Sequence, residues 1–264
     1  MEGSTDLKYA RKVADFLGTK HTEVKFTPEE GCSVIPEVIK CLESYDVTTV
    51  RASVAMYLVA KYISQNTDDK VIFSGEGSDE LFCGYLYFHN APSVEEASEE
   101  SKRLIDELHF YDVLRADRTV SENGLELRVP FLDMRVLHFS LGLPAEFKAP
   151  IESKDNKRWE KLMLRKAFED FLPEEVVWRR KNGMSDCGSV KKPWYKHIEE
   201  YVDTRLGDEL YNEKEYISKE AMYYRLVFNK LFPTYELDIP MWLPRWSGDL
   251  KNPSGTLMKI FDDK

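Results

Sequence analysis

The run Val71-Ile72-Phe73 passes without interruption into Ser74-Gly75-Glu76-Gly77-Ser78-Asp79-Glu80, and this junction constrains the fold more than any other stretch. A short apolar strand that breaks into glycines and acids reads as a buried strand ending in a loop at its carboxyl edge, where open α/β sheets bind ligands. The residues before it fit that picture. Ser4 or Thr5 can cap a helix with Leu7, Ala10, Val13 and Phe16 on one face, stopped by Gly18. His21 to Phe26 alternates as a short strand would, and Thr27-Pro28-Glu29-Glu30 opens a helix with a capping box. A further helix follows Asp46-Val47-Thr48-Thr49. The order β-α-α-β predicts a parallel sheet covered by helices, of which only two strands are visible. From about residue 94 the pattern turns helical, with periodic apolar positions over Ser101 to Asp117, Lys157 to Phe171, Tyr195 to Leu206 and Ser218 to Leu231. The expected fold class is α/β: an incomplete parallel sheet over residues 1–92, then a mainly helical part over 93–264.

The loop has the makings of an anion site. Gly75 and Gly77 let the backbone turn tightly and bring N–H groups close to a ligand. Glu76, Asp79 and Glu80 place three carboxylates within five residues, a costly grouping unless cations share it, and Mg²⁺ held with substrate phosphates would do so. A solvated acidic turn accounts for the same residues. Arg51 lies near a helix start, where an arginine fork suits phosphate, although a surface pair with Asp46 or Glu43 accounts for it equally. Lys161 falls on an amphipathic helix, whose charged face is ordinarily solvated. The five tryptophans read as packing anchors.

Composition narrows the function classes. A net charge of -10, from 37 basic and 47 acidic residues, argues against a nucleic-acid partner. No apolar run approaches the ~20 residues of a membrane span. Four scattered cysteines and five separated histidines show neither a disulfide framework nor zinc spacing. With no signal-peptide pattern at the start, the expected location is cytoplasmic.

Ser74 to Leu81, followed by Gly84-Tyr85-Leu86-Tyr87-Phe88-His89, resembles the synthetase domain of glutamine-hydrolysing asparagine synthetases. The likeness extends through Glu43 to Ser53, Leu114 to Arg118, Gly124 to Asp133, Glu160-Lys161 and Trp242 to Trp246. The resemblance implies a sheet of the adenine-nucleotide alpha-hydrolase-like (ATP-pyrophosphatase) type and a reaction in two steps. ATP adenylates the side-chain carboxylate of aspartate, and ammonia then displaces AMP to give asparagine. By the same resemblance Ser74 and Gly75 contact ATP, and Glu76 assists formation and amination of the β-aspartyl-AMP. Asp79 would hold Mg²⁺ with pyrophosphate, and Arg51 and Lys161 would meet the phosphates. Asp112, Thr48 and Thr49 would lie near the site. Aspartate, ATP and ammonia are the expected ligands, a glutaminase domain is the expected partner in the full-length protein, and a homodimer stays open.

The family's nucleophilic cysteine after the initiator Met is Glu2 here, and its Ser-Gly-Gly-x-Asp-Ser pyrophosphate loop has no counterpart among the 13 glycines. The expectation is a partial synthetase domain that starts past its first strand, with an exposed strand edge and poor solubility alone. Lys181 to Cys187 departs from the family's Lys-Glu-x-Phe-Ser-Asp-Gly at Asn182 and Cys187. Two further readings stand beside the enzyme: a non-catalytic remnant that binds a partner, and another amidating or adenylating synthetase of the same superfamily.

Overall fold

Sequence-local signals set most of the helix boundaries. The computed structural model describes residues 4–150, 159–179, 181, 183, 192–207, 211–236, 238–248 and 252–253. Ser4 caps helix α1 (Thr5–Leu17), and Gly18 ends it in the left-handed conformation. Thr27 and Glu30 form the expected capping box at the start of α2 (Pro28–Ser33), which continues into α3 (Ile35–Leu42). Asp46 caps the long α4 (Val47–Asn66), so Val47 to Thr49 form its first turn rather than a link. Strand β1 (Val71–Phe73) and the short helix α5 (Ser78–Leu81) follow.

The later half differs from expectation in ways that build the site. The helix anticipated over Ser101 to Asp117 is two helices, α6 (Val94–Asp106) and α7 (Asp112–Ser121), separated by a turn of 3₁₀ helix. Then comes β2 (Glu126–Arg128), a strand inside a stretch read as helical. It pairs in parallel with β1, with Val71 opposite Glu126, Ile72 opposite Leu127 and Phe73 opposite Arg128. The N–H of Ser74 donates to the Arg128 carbonyl at 2.9 Å, extending the ladder into the loop. Among the described residues the sheet has these two strands. His21 to Phe26 is not a strand: Phe26 packs its ring edge-on against Trp194 with centroids 6.2 Å apart, and side-chain packing overrides the alternating pattern.

Helix α8 (Met134–Gly142), the short α9 (Leu162–Ala167) and α10 (Glu174–Val177), and then α11 (Trp194–Asp203) and α12 (Lys219–Leu231) follow among the described residues. The main core joins α3 and α4 to α11 and α12 through Ile35, Ile39, Leu42, Val50, Ile198, Tyr224 and Phe228. Helices α4 and α7 pack on each other and cover one face of the sheet, where Ala60, Val120 and Leu125 are buried against Ile72 and Leu127. Among the described residues no helix pair covers the other face in this way. Phe73 is 69% exposed and Val71 39%, so β1 is covered on one side only and is not the buried strand that its composition suggests.

Candidate functional site

Four element ends converge at the carboxyl edge of the sheet. β1 delivers Ser74, Gly75 and Glu76, and Gly77 turns the chain at φ 89°. Its positive φ favours glycine, and a Cβ there would lie 2.3 Å from Cδ2 of Leu132 and displace that side chain. Helix α5 then presents Asp79 and Glu80, the first turn of α7 presents Asp112 and Arg115, and the start of α4 presents Thr48. Between them lies a cavity of about 260 Å³, walled also by Ala52, Tyr85, Leu86, Tyr87, Lys181, Gly183, Trp242 and Pro253. Asp46 couples helix cap to cavity wall: its Oδ2 accepts from the Thr49 N–H at 2.8 Å, and its Oδ1 accepts from the Trp242 N–H at 2.8 Å. Burial raises the Asp46 carboxyl to about 6 despite these bonds.

Carboxylates and cations alternate around the cavity. Arg115 Nη2 lies 3.1 Å from Glu76 Oε2 and 2.6 Å from Asp112 Oδ1, so one guanidinium bridges two acids. Burial pushes the Glu76 carboxyl above its usual range; Arg115 opposes that rise and Asp112 adds to it. Tyr85 Oη sits 2.5 Å from Glu80 Oε1 and 3.0 Å from Asp112 Oδ2. Burial, with Asp112 and Asp79 nearby, raises Glu80 to about 8. Asp79 is gripped from both sides, by Lys161 Nζ at 3.0 Å on Oδ1 and by Lys181 Nζ at 3.1 Å on Oδ2. Burial alone would raise Asp79, but the two ammonium groups outweigh it and hold the carboxyl well below the carboxylate range. Lys161 also donates to Ser78 Oγ at 2.9 Å. Gly84 makes this approach possible, since a Cβ there would meet Asp79 Oδ1 and Lys161 Cε, each at 2.2 Å.

The structure brings most of the expected residues together. Ser74, Gly75, Glu76, Asp79, Asp112 and Thr48 line the cavity. Lys161 stands behind Asp79 and is not on an amphipathic helical face: it precedes α9 in the left-handed conformation at φ 55°. Thr49 turns inward, its hydroxyl donating to Asp46 Oδ2 at 2.7 Å. Arg51 lies outside the cavity, and its pairing with a surface acid is overturned. It is buried, with Nε donating to Glu220 Oε1 at 2.7 Å and its guanidinium stacked 5.4 Å from the centre of the Tyr195 ring.

Arg115, Tyr85 and Lys181 also line the cavity, and none is among the site residues expected from the sequence. Arg115 follows Asp112 at the i, i+3 spacing of one helical face, a signal available once α7 is known to start at Asp112. Lys181 reaches Asp79 across 102 residues, which no local pattern announces. Most of the divergent Lys181 to Cys187 stretch, including Asn182 and Cys187, lies outside the described residues.

A divalent cation does not fit Asp79 in this arrangement, because each of its oxygens already faces a lysine ammonium. Among the described residues no group of three or more His, Cys, Asp or Glu side chains is arranged to hold a metal ion. No described helix is long and apolar enough to cross a membrane.

The asparagine synthase family profile matches residues 1–107 and 92–236. The chain belongs to the asparagine synthase family. It is 50% identical over 272 residues to a glutamine-hydrolysing asparagine synthetase of Gallus gallus, a match covering 99% of this chain and 47% of that protein. With the corresponding protein of Homo sapiens it shares 50% identity over 259 residues, covering 93% of this chain and 45% of the relative. The chain thus spans about half the length of the curated relatives it matches. Of the motif from Ser74 to Leu81, the residues Ser74, Gly75, Glu76, Asp79 and Glu80 line the cavity.

Proposed function

We propose that the cavity is the adenylation site of an asparagine-forming ligase. In this reading the β-carboxylate of aspartate attacks the α-phosphorus of ATP, pyrophosphate leaves, and ammonia then displaces AMP from the aspartyl carbon, releasing a proton. The observation that carries it is the placement of Glu76, a nearly buried carboxylate on the cavity wall between Ser74 and Arg115, with two lysines one helical turn away around Asp79. Ser74 and Gly75 lie at the end of β1, where a nucleotide can rest on open backbone; a Cβ at Gly75 would meet nothing within 4 Å. Lys161 and Lys181 supply positive charge to the ATP phosphates that leave as pyrophosphate, from binding onward. Glu76, its carboxyl held above the usual range by burial, is suited to take the proton that the attacking nitrogen loses. Arg51 acts from a distance by anchoring α4, whose first turn carries Thr48.

The curated relatives are named as glutamine-hydrolysing, and we propose that a glutaminase part supplies the ammonia in the full-length protein. The division into residues 1–92 and 93–264 and the ATP-pyrophosphatase type of the sheet belong to this proposal, as does a cytoplasmic location. The free cysteines Cys32, Cys41 and Cys83 suit a reducing compartment.

The test is pyrophosphate release by the purified chain with magnesium ATP, aspartate and ammonium. Aspartate-dependent release that Glu76→Gln lowers by about a hundredfold or more is the expected result, in the range of a lost general base. The open apolar face around Phe73 favours a second reading, a fragment inactive alone. Release that appears only when the remainder of a full-length relative is supplied supports that reading. No release under either condition overturns both.

A further inference from the structure

Glu160 has no exposed surface and does not line the cavity. Its Oε1 accepts hydrogen bonds from Arg165 Nη2 at 2.7 Å and from the backbone N–H of Lys181 at 3.1 Å. Its Oε2 faces Nε2 of buried His89, 3.5 Å away, in the turn that follows α5. Its backbone carbonyl accepts from Arg165 Nε at 2.7 Å. Arg165 in turn donates to the carbonyl oxygens of Val177 and Arg179, the second at 3.0 Å. Three distant segments therefore meet on one carboxylate, around residues 89, 160 and 181.

Two of those segments carry the ammonium groups on Asp79. Lys161 is the next residue after Glu160, and Lys181 gives Glu160 its own backbone N–H. Behind both lysines lies a second cavity of about 390 Å³, walled by Phe131, Leu164, Phe168 and Val176. A lysine not held on Asp79 has room to swing into it. Long lysine stems with four rotatable bonds keep one geometry only where the backbone beneath them is fixed.

We propose that Glu160 is a positioning residue, a buried carboxylate that sets the spacing of Lys161 and Lys181 so that they hold Asp79 from its two sides. The catalytic consequence rests on the adenylation reading above; the placement of the lysines does not. Glu160→Gln keeps the volume and one acceptor oxygen but removes the charge that draws Arg165 and the Lys181 N–H together.

Competitive acetylation with acetic anhydride, read by peptide mass spectrometry on the whole chain, measures each lysine separately. In Glu160→Gln the acetylation rates of Lys161 and Lys181 are expected to rise together by about tenfold, the scale of one lost charge-assisted hydrogen bond. Lys12 and Lys196, in exposed pairs with Glu175 and Glu199, serve as controls and are expected to stay constant. Asp79→Asn gives the reference for fully released lysines. Unchanged rates at either lysine in folded Glu160→Gln overturn the proposal. If that variant does not fold, Arg165→Lys, which lacks the fork onto residues 177 and 179, is expected to raise both rates by about threefold, and no rise there overturns it equally.

In pyrophosphate release the Glu160→Gln variant is expected to raise the KM for ATP by about tenfold with kcat within about threefold. A merely structural defect would lower the active fraction and leave KM unchanged. Absence of turnover in the parent chain even with the remainder of a full-length relative would count against the adenylation reading alone, because the acetylation result needs no turnover.

Discussion

Glu80 shows how a single side chain ties the stability of this chain to pH. Its carboxyl, raised from 4.5 to about 8, is neutral in the fold and ionised in the unfolded chain across that interval. Unfolding therefore releases a proton throughout the window, and stability falls as pH rises from about 5 to about 8, by roughly 1.4 kcal/mol per pH unit at most. Urea unfolding of Glu80→Gln is expected to show a flatter profile over the same range. Asp79 behaves in the opposite sense: its carboxyl is lowered, so its contribution is present above the normal carboxylate range and lost only in acid. Asp79→Asn leaves Lys161 and Lys181 facing each other without the acid between them. A loss of about 3 kcal/mol at pH 7 is expected in chemical denaturation, in line with one partner removed from a buried ion cluster.

Helix ends carry the site, and helix ends are what the sequence displays most openly. Ser4 and the Thr27 capping box cap where the sequence announces them, and Asp46, Ser93 and Ser218, not expected as caps, do the same within three or four consecutive residues. The strands were less legible. β2 is three residues long with Glu126 and Arg128 exposed, and only its partner β1, some 55 residues earlier, makes it a strand. The acidic loop could be read because glycines and carboxylates crowd together there, whereas Arg115 and Lys181 depend on how distant segments pack. Arg51 marks the limit of motif transfer: its neighbourhood is recognisable, but its guanidinium faces Glu220 and not the cavity. At this scale Gly77→Ala is decisive, since it forces a left-handed residue and a 2.3 Å contact with Leu132 at once. A loss of about 2–3 kcal/mol in the unfolding free energy is expected, together with loss of pyrophosphate release.

At the scale of the molecule, one face of the sheet is roofed by α4 and α7, and on the other β1 leaves Phe73 and Val71 exposed. Phe73, 69% exposed beside Val71 at 39%, puts aromatic surface next to a strand that can pair with another chain. Phe73→Lys is expected to lower light scattering on heating, with the thermal midpoint within about 2 °C of the parent because little packing is lost. Aggregation unchanged by that substitution would mean that another surface drives it.

The bond between Asp46 and Trp242 joins residues 196 positions apart. In chain order the cap of α4 comes well before the backbone donor that completes it. Until residue 242 is made, Oδ1 of Asp46 lacks the Trp242 N–H, and the wall that Trp242 supplies to the cavity does not yet exist. The lining of the cavity is thus complete only once residue 242 has been made, and one aspartate joins the two ends of that interval.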